Sequence, residues 1–108
     1  MPTPLTVNRD RGSDGRPRLI ATGEIDLSNV DTFTEALDAT ISDSTGEGHP
    51  VTVDLSAVEY LDSAAINVLS THADDVGNMR VVAHPYLMPV LTISGLTELA
   101  DVQAAPGA

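Results

Sequence analysis

The chain has 108 residues and a mass of 11.3 kDa, room for one compact domain but not for a catalytic domain beside a regulatory one. Apolar residues make up 42% and aromatics 3%, so the core must be built from Val, Leu, Ile and Ala with Phe33, Tyr60 and Tyr86 as the only rings, and the lack of cysteine excludes disulfides, thiol nucleophiles and Cys-ligated metals. Sixteen acids against five arginines, with no lysine, give a net charge of −11 and exclude the basic face that nucleic acid requires.

Leu5-Thr6-Val7 and Arg18-Leu19-Ile20-Ala21 read as two short strands, joined as a hairpin by Arg11-Gly12-Ser13-Asp14-Gly15-Arg16-Pro17, whose Gly, Asp and Pro favour a turn. From Ser28 the period changes. Val30, Phe33, Leu37 and Ile41 form one apolar helical stripe, and Ser28 with Asp31 resembles a capping box. The run Thr45-Gly46-Glu47-Gly48-His49-Pro50 stops that helix. Val51 to Leu55 is short and β-branched, as expected of a central strand buried on both faces.

A second helix is expected from about Ser63, with Ile66, Leu69, Ala73 and Val76 at helical spacing and Gly77 as its cap. Met79 to Ala83 reads as the next strand. Pro85 can open a third helix, which Pro89 one turn later makes short, kinked or delayed, and which Gly95 ends. Leu99 to Val102 reads as a final edge strand, and Ala104 to Ala108 as frayed. The expected fold class is therefore α/β: a single domain, residues 1–108 with an ordered core of about 5–103, holding a mixed, mostly parallel sheet of four to five strands with an N-terminal hairpin and three packed helices. Val53, Leu55, Ile66, Leu69, Val81, Phe33 and Leu37 are the expected core.

Charge is unevenly spread. Four of the five arginines precede residue 19, and between Glu24 and Asp75 there are twelve acids and no base, so anything bound there is expected to be basic. Met1-Pro2-Thr3-Pro4 lacks the features of a signal peptide, and His84 to Thr97, uncharged and apolar-rich, is too short and too broken by proline and glycine to span a bilayer. These features lead to the expectation of a cytoplasmic protein with no membrane partner.

The segment Asp54 to Ile66 connects the central strand to the second helix, at the carboxyl edge of the sheet where open α/β folds usually meet ligands and partners. An isolated Asp62-Ser63 pair at a helix start is most simply a cap. The wider pattern says more. Gly23-Glu24-Ile25-Asp26, then Val53-Asp54-Leu55-Ser56-x-Val58-x-Tyr60-Leu61-Asp62-Ser63, then Pro85 and Ser94-Gly95-Leu96 resemble, in order, the signatures of the STAS family of anti-sigma factor antagonists, over roughly residues 5 to 103.

The resemblance implies partner switching. In that family the serine at the position of Ser63 is phosphorylated by an anti-sigma factor that is an ATP-dependent serine kinase. The dephosphorylated antagonist binds that kinase and frees a sigma factor, and the phosphorylated form lets go until a phosphatase removes the phosphate. By the same resemblance the partner-binding residues are Asp26, Asp62, Ser63, Ala64, Ala65 and Ile66, with Asp62 orienting the Ser63 hydroxyl or presenting charge. Ala65 departs from the family's usual Gly in Asp-Ser-x-Gly, adding a methyl group, and the interval from Ser63 to Met79 is about one helical turn shorter than usual.

Other chemistries fit less well. A response-regulator receiver would use Asp54 as acceptor but needs a lysine, which this chain lacks. A serine hydrolase needs a base and a Gly-x-Ser-x-Gly elbow, and His49, His72 and His84 have no triad context. His72 with Asp74 and Asp75 reads as a solvated helix face and not as a metal site. No catalytic residue, metal or cofactor is expected. The alternative function is a STAS accessory or scaffold module of a transport or signalling complex that is not phosphorylated.

Overall fold

The computed structural model describes residues 4–12, 15–43 and 51–105. The hairpin residues Ser13 and Asp14, the helix-stopping run from Thr45 to Pro50 with His49, the opening Met1 to Thr3 and residues 106–108 lie outside the described residues.

Five strands form one sheet in the order β1-β2-β3-β4-β5: β1 (Thr6–Arg11), β2 (Pro17–Ile25), β3 (Val51–Leu61), β4 (Met79–Ala83) and β5 (Asp101–Ala104). β1 pairs antiparallel with β2, and the other neighbours are parallel. Helix α1 (Val30–Asp43) links β2 to β3, and α2 (Ser63–Val76) links β3 to β4. A 3-10 turn (Pro85–Leu87), α3 (Met88–Ile93) and α4 (Leu96–Leu99) link β4 to β5. The third helical region is thus split, with Pro89 in the first turn of α3, where its missing N–H costs nothing. No helix among the described residues is long and apolar enough to cross a membrane.

Burial alternates strictly along β2 and β4: Pro17, Leu19, Ala21, Gly23 and Ile25 are buried, as are Met79, Val81 and Ala83, while the residues between are half-exposed. Period-two burial means that one sheet face carries the helices and the other meets solvent. The expectation that β3 is buried on both faces therefore fails, because Thr52, Asp54 and Ser56 lie half-exposed between buried Val51, Val53 and Leu55. The open face carries charge at both margins. Arg18 donates two 2.8 Å hydrogen bonds to Asp10 across β1 and β2, and Arg80 Nε lies 3.7 Å from Asp101 across β4 and β5.

Three further expectations are corrected. β3 does not end at Leu55 but runs to Leu61, so the expected connecting loop is strand up to the residue before Asp62. Its pairing with β2 shifts register between Ile20 and Thr22 and again between Gly23 and Glu24, so β3 stays paired by bulging. Gly23 sits at the second shift with φ 95°, a conformation that glycine adopts without strain. Helix α1 begins at Val30, and Ser28 bonds back to Asp26, so no capping box forms with Asp31. The last strand lies two residues later than expected and includes Ala104.

All seven expected core residues are buried, six of them completely and Ile66 with 9% exposure. Helix α2 has the expected bounds. Gly77, at φ 70°, closes it through its N–H to the Ala73 carbonyl. Leu69 lies midway along the buried face of α2 and is fully enclosed by the main core. Leu69→Ala is expected to cost about 2–5 kcal/mol in a urea titration. A change near zero would mean that α2 does not dock in this way.

Candidate functional site

The long parallel strands β2 and β3 finish side by side, with buried Ile25 paired to buried Leu61. The residues that follow each strand therefore emerge together at the carboxyl edge. The Asp62 N–H donates to the Ile25 carbonyl at 3.1 Å, holding the two exits in contact.

Asp62 is the N-cap of α2, with extended backbone at φ −95°. Its Oδ1 accepts the Ala65 N–H at 3.1 Å, and its Oδ2 accepts the Leu27 N–H at 2.9 Å. One carboxylate thus caps the helix and straps the β2–α1 turn to it. Of the two roles expected for Asp62, orienting the Ser63 hydroxyl or presenting charge, the first has no hydrogen bond behind it among the described residues.

The turn itself is closed by side chains. Asp26 Oδ1 accepts both the N–H and the hydroxyl of Ser28, the Asp26 N–H donates to Asn29 Oδ1 at 2.9 Å, and Asn29 Nδ2 donates to the Glu24 carbonyl at 3.0 Å. Aspartate favours such local turns because its short side chain reaches the backbone two residues on. The Ser28 hydroxyl and then the Ser28 N–H hold the Asp26 carboxyl below its ordinary value against the opposing effect of desolvation, with the Asn29 N–H contributing least.

Ser63 is the first residue of α2 and is exposed, and its hydroxyl has no hydrogen-bond partner among the described residues. Ala64 is half-buried, Ala65 fully buried and Ile66 nearly so. The geometry thus brings Asp26, Asp62 and Ser63 together at one surface and places Ala65 and Ile66 beneath it. The methyl group that Ala65 adds is fully buried in the core. The sequence reading missed Leu27, which is 76% exposed in the turn that Asp62 holds. An apolar residue between Asp26 and Ser28, both turn formers, was the available signal.

The other candidates are occupied elsewhere. Asp54 accepts the Ser56 N–H and hydroxyl on the open sheet face, with seven strand residues still to follow, so it is not placed like a receiver's acceptor. His72 lies 2.8 Å from the Val68 carbonyl and 2.6 Å from Asp38, joining α2 to α1. His84 Nδ1 accepts the Tyr86 N–H at 3.1 Å.

Residues 8–102 match the family model described as "Mlab, STAS domain". The crystal structure of an anti-sigma factor antagonist from Mycobacterium paratuberculosis is similar at a TM-score of 0.81 and 26% sequence identity, over 96% of this chain and 87% of that one. The unphosphorylated form of the anti-sigma factor antagonist SpoIIAA is similar at 0.67 and 15%, over 93% and 88%. The murine anion transporter Slc26a9 is similar at 0.56 and 14%, over 95% of this chain and 21% of the transporter. No curated protein matches the chain.

Two outcomes are expected. Asp62→Ala removes the cap and the strap together, costing about 1–2 kcal/mol in urea unfolding and deprotecting the Leu27 amide in hydrogen exchange. If Leu27 exchange is unchanged, the strap does not hold the turn. Asp26 has a lowered native pKa, so the unfolded state takes up its proton first as pH falls. The stability it contributes is complete above the ordinary carboxylate range and is lost as pH drops through the lowered native value. Urea midpoints measured across this acid window should fall less steeply for Asp26→Asn than for the parent protein.

Proposed function

The chain belongs to the STAS domain family, and we propose that within it this protein acts as an anti-sigma factor antagonist, controlled by phosphorylation of Ser63. The observation that carries the reading is the Ser63 hydroxyl, exposed and unpartnered at the first turn of a 14-residue helix. Its neighbour Asp62 already satisfies the cap, so Ser63 can be modified without loss of structure. Similarity to the Mycobacterium paratuberculosis antagonist over nearly the whole chain supports the same reading.

On this reading the unmodified surface around Asp26, Leu27 and Ser63 binds an anti-sigma factor of the serine-kinase type, which thereby releases its sigma factor. The kinase then transfers phosphate from ATP to the Ser63 oxygen. Phosphate adds about −1.5 to −2 charges beside Asp62 and Asp26. A helix N-terminus accommodates that charge, so the domain stays folded and the effect falls on the interface through repulsion and bulk. A serine phosphatase resets the switch. On this reading the protein works by binding in the cytoplasm, and the chemistry of the switch belongs to the kinase and the phosphatase.

A second reading keeps the surface and omits the phosphate: an accessory module of a transport or signalling complex. It is favoured by the presence of the same fold within the murine anion transporter. The test is incubation with the anti-sigma kinase and ATP, followed by intact-mass analysis. One added phosphate, absent from Ser63→Ala, is expected. Ser63→Ala should bind the kinase like the parent protein, whereas Ser63→Glu should bind several-fold more weakly, since one carboxylate carries less charge than phosphate. An unchanged mass rules out the switch and leaves the accessory-module reading.

A further inference from the structure

Strand β4 pairs with β3 only as far as Leu55 and Ala83, while β3 stays paired with β2 on its other side to Leu61. After Ala83 the chain folds into the 3-10 turn, which leaves a groove of about 220 Å³ beside the last residues of β3, lined by Val58, Glu59, His84, Tyr86 and Leu87. That volume is below the roughly 300–1,000 Å³ of pockets that enclose small molecules, and leaves room for one side chain. Val58 and Leu87 are buried and supply apolar surface, whereas Glu59 is exposed and Tyr86 is 87% exposed. His84 Nδ1 accepts the Tyr86 N–H at 3.1 Å, so that nitrogen carries no proton and the ring brings no positive charge.

The register of the sheet separates the charges. Arg18 and Arg80 both stand level with Thr52 near the start of β3, and Arg9, Arg11 and Arg16 lie at the same end, level with or just before the first residues of β2. These are all the arginines of a chain that has no lysine. Glu24 stands level with Tyr60, six residues further along β2 than Arg18, a separation of roughly 20 Å at about 3.3 Å per residue. At about 0.15 M salt that exceeds two Debye lengths, so the arginines do not neutralise the carboxyl edge, where Glu24, Asp26, Glu59 and Asp62 collect. A neutral occupant of the groove would strip water from the Glu59 carboxylate and return no charge to it, and an acidic one would add repulsion. A cationic side chain gains on both counts.

We propose that this groove receives an arginine side chain carried by a protein partner. The methylene stem lies over Val58 and Leu87, and the guanidinium sits between the Glu59 carboxylate and the ring of Tyr86. Arginine suits the site better than lysine, because its planar group hydrogen-bonds a carboxylate and stacks on a ring at the same time. The groove lies at the same carboxyl edge as Ser63, beside the neighbouring strand, so one partner can engage both. This assignment rests on the reading of that edge as a protein interface, and is independent of whether Ser63 is phosphorylated.

The probe is the blocked peptide acetyl-Gly-Arg-Gly-amide, titrated into the full chain at about 50 mM salt (a Debye length of roughly 14 Å) and followed by amide nitrogen–proton NMR. Saturable shifts at Glu59, Tyr86 and Leu87 are expected, with dissociation in the millimolar range and weaker binding at about 500 mM salt. The counterpart peptide with citrulline, the neutral isostere of arginine, should not saturate, and the lysine peptide should bind several-fold more weakly. Glu59→Gln should weaken the arginine peptide about three- to fivefold and Tyr86→Ala about two- to fivefold, while Asp74→Asn, at an exposed acid on α2, leaves it unchanged. Both groove side chains are exposed, so the remaining resonances of each variant should match the parent protein. No saturable shift at the groove overturns the proposal. So does equal binding of the citrulline or lysine peptide, or loss of affinity in Asp74→Asn as large as in Glu59→Gln, which would mean attraction to the acidic surface as a whole. No kinase enters this titration, so its outcome and that of the mass measurement on Ser63 are read separately.

Discussion

The order of the strands constrains this molecule more than any single contact. From β2 to β5 the parallel strands are added in one direction without reversal, each through a helical crossover. Parallel crossovers are right-handed in nearly all proteins, and successive crossovers in the same direction place their helices on the same face. The alternating burial along β2 and β4 is the direct record of that layering. A sheet whose order never reverses also has no switch point, the place where α/β folds open a crevice for small ligands. Recognition is thereby moved to the rim and to the outer faces of the helices.

At the carboxyl rim the arrangement depends on one carboxylate. Asp62 neutralises a helix start with one oxygen and holds the neighbouring turn with the other, and both interactions are formed with backbone N–H groups. Backbone donors are insensitive to which side chains surround them. The exposed groups of the rim, the Leu27 side chain and the Ser63 hydroxyl, therefore ride on a frame to which they do not contribute, and can change without disturbing it.

Legibility from sequence followed how local each signal was. Helix α2 was readable at both ends because its start and stop depend on Asp62, Ser63 and Gly77 themselves. Strand β4 was readable because its burial alternates without interruption. Strand β3 was cut short in the reading because its two bulges break the alternation after Ser56, and the pairing that carries it on to Leu61 belongs to β2, far away in sequence. The start of α1 was misplaced for a related reason. Ser28 has two carboxylates within reach along the chain, and Asp26 takes its hydroxyl through a tight turn that competes with capping. Of the site, Asp26, Asp62 and Ser63 were identified by a pattern, whereas the exposure of Leu27 follows from a hydrogen bond spanning 35 residues. No local rule anticipates such a bond.

The outermost strands have a consequence of their own. The free edge of the sheet at β1 presents Asn8, Arg9, Asp10 and Arg11, all exposed, and the opposite edge at β5 is only four residues long and begins with an exposed Asp101. Charged and abbreviated margins are poor templates for an incoming strand. Complexes built by main-chain zippering are therefore disfavoured at either margin, and so is runaway stacking of copies into fibres. Recognition by this protein must instead read side chains. A lineage can then redirect its partnerships by one substitution at a time on the rim while the hydrogen-bonded scaffold stays the same.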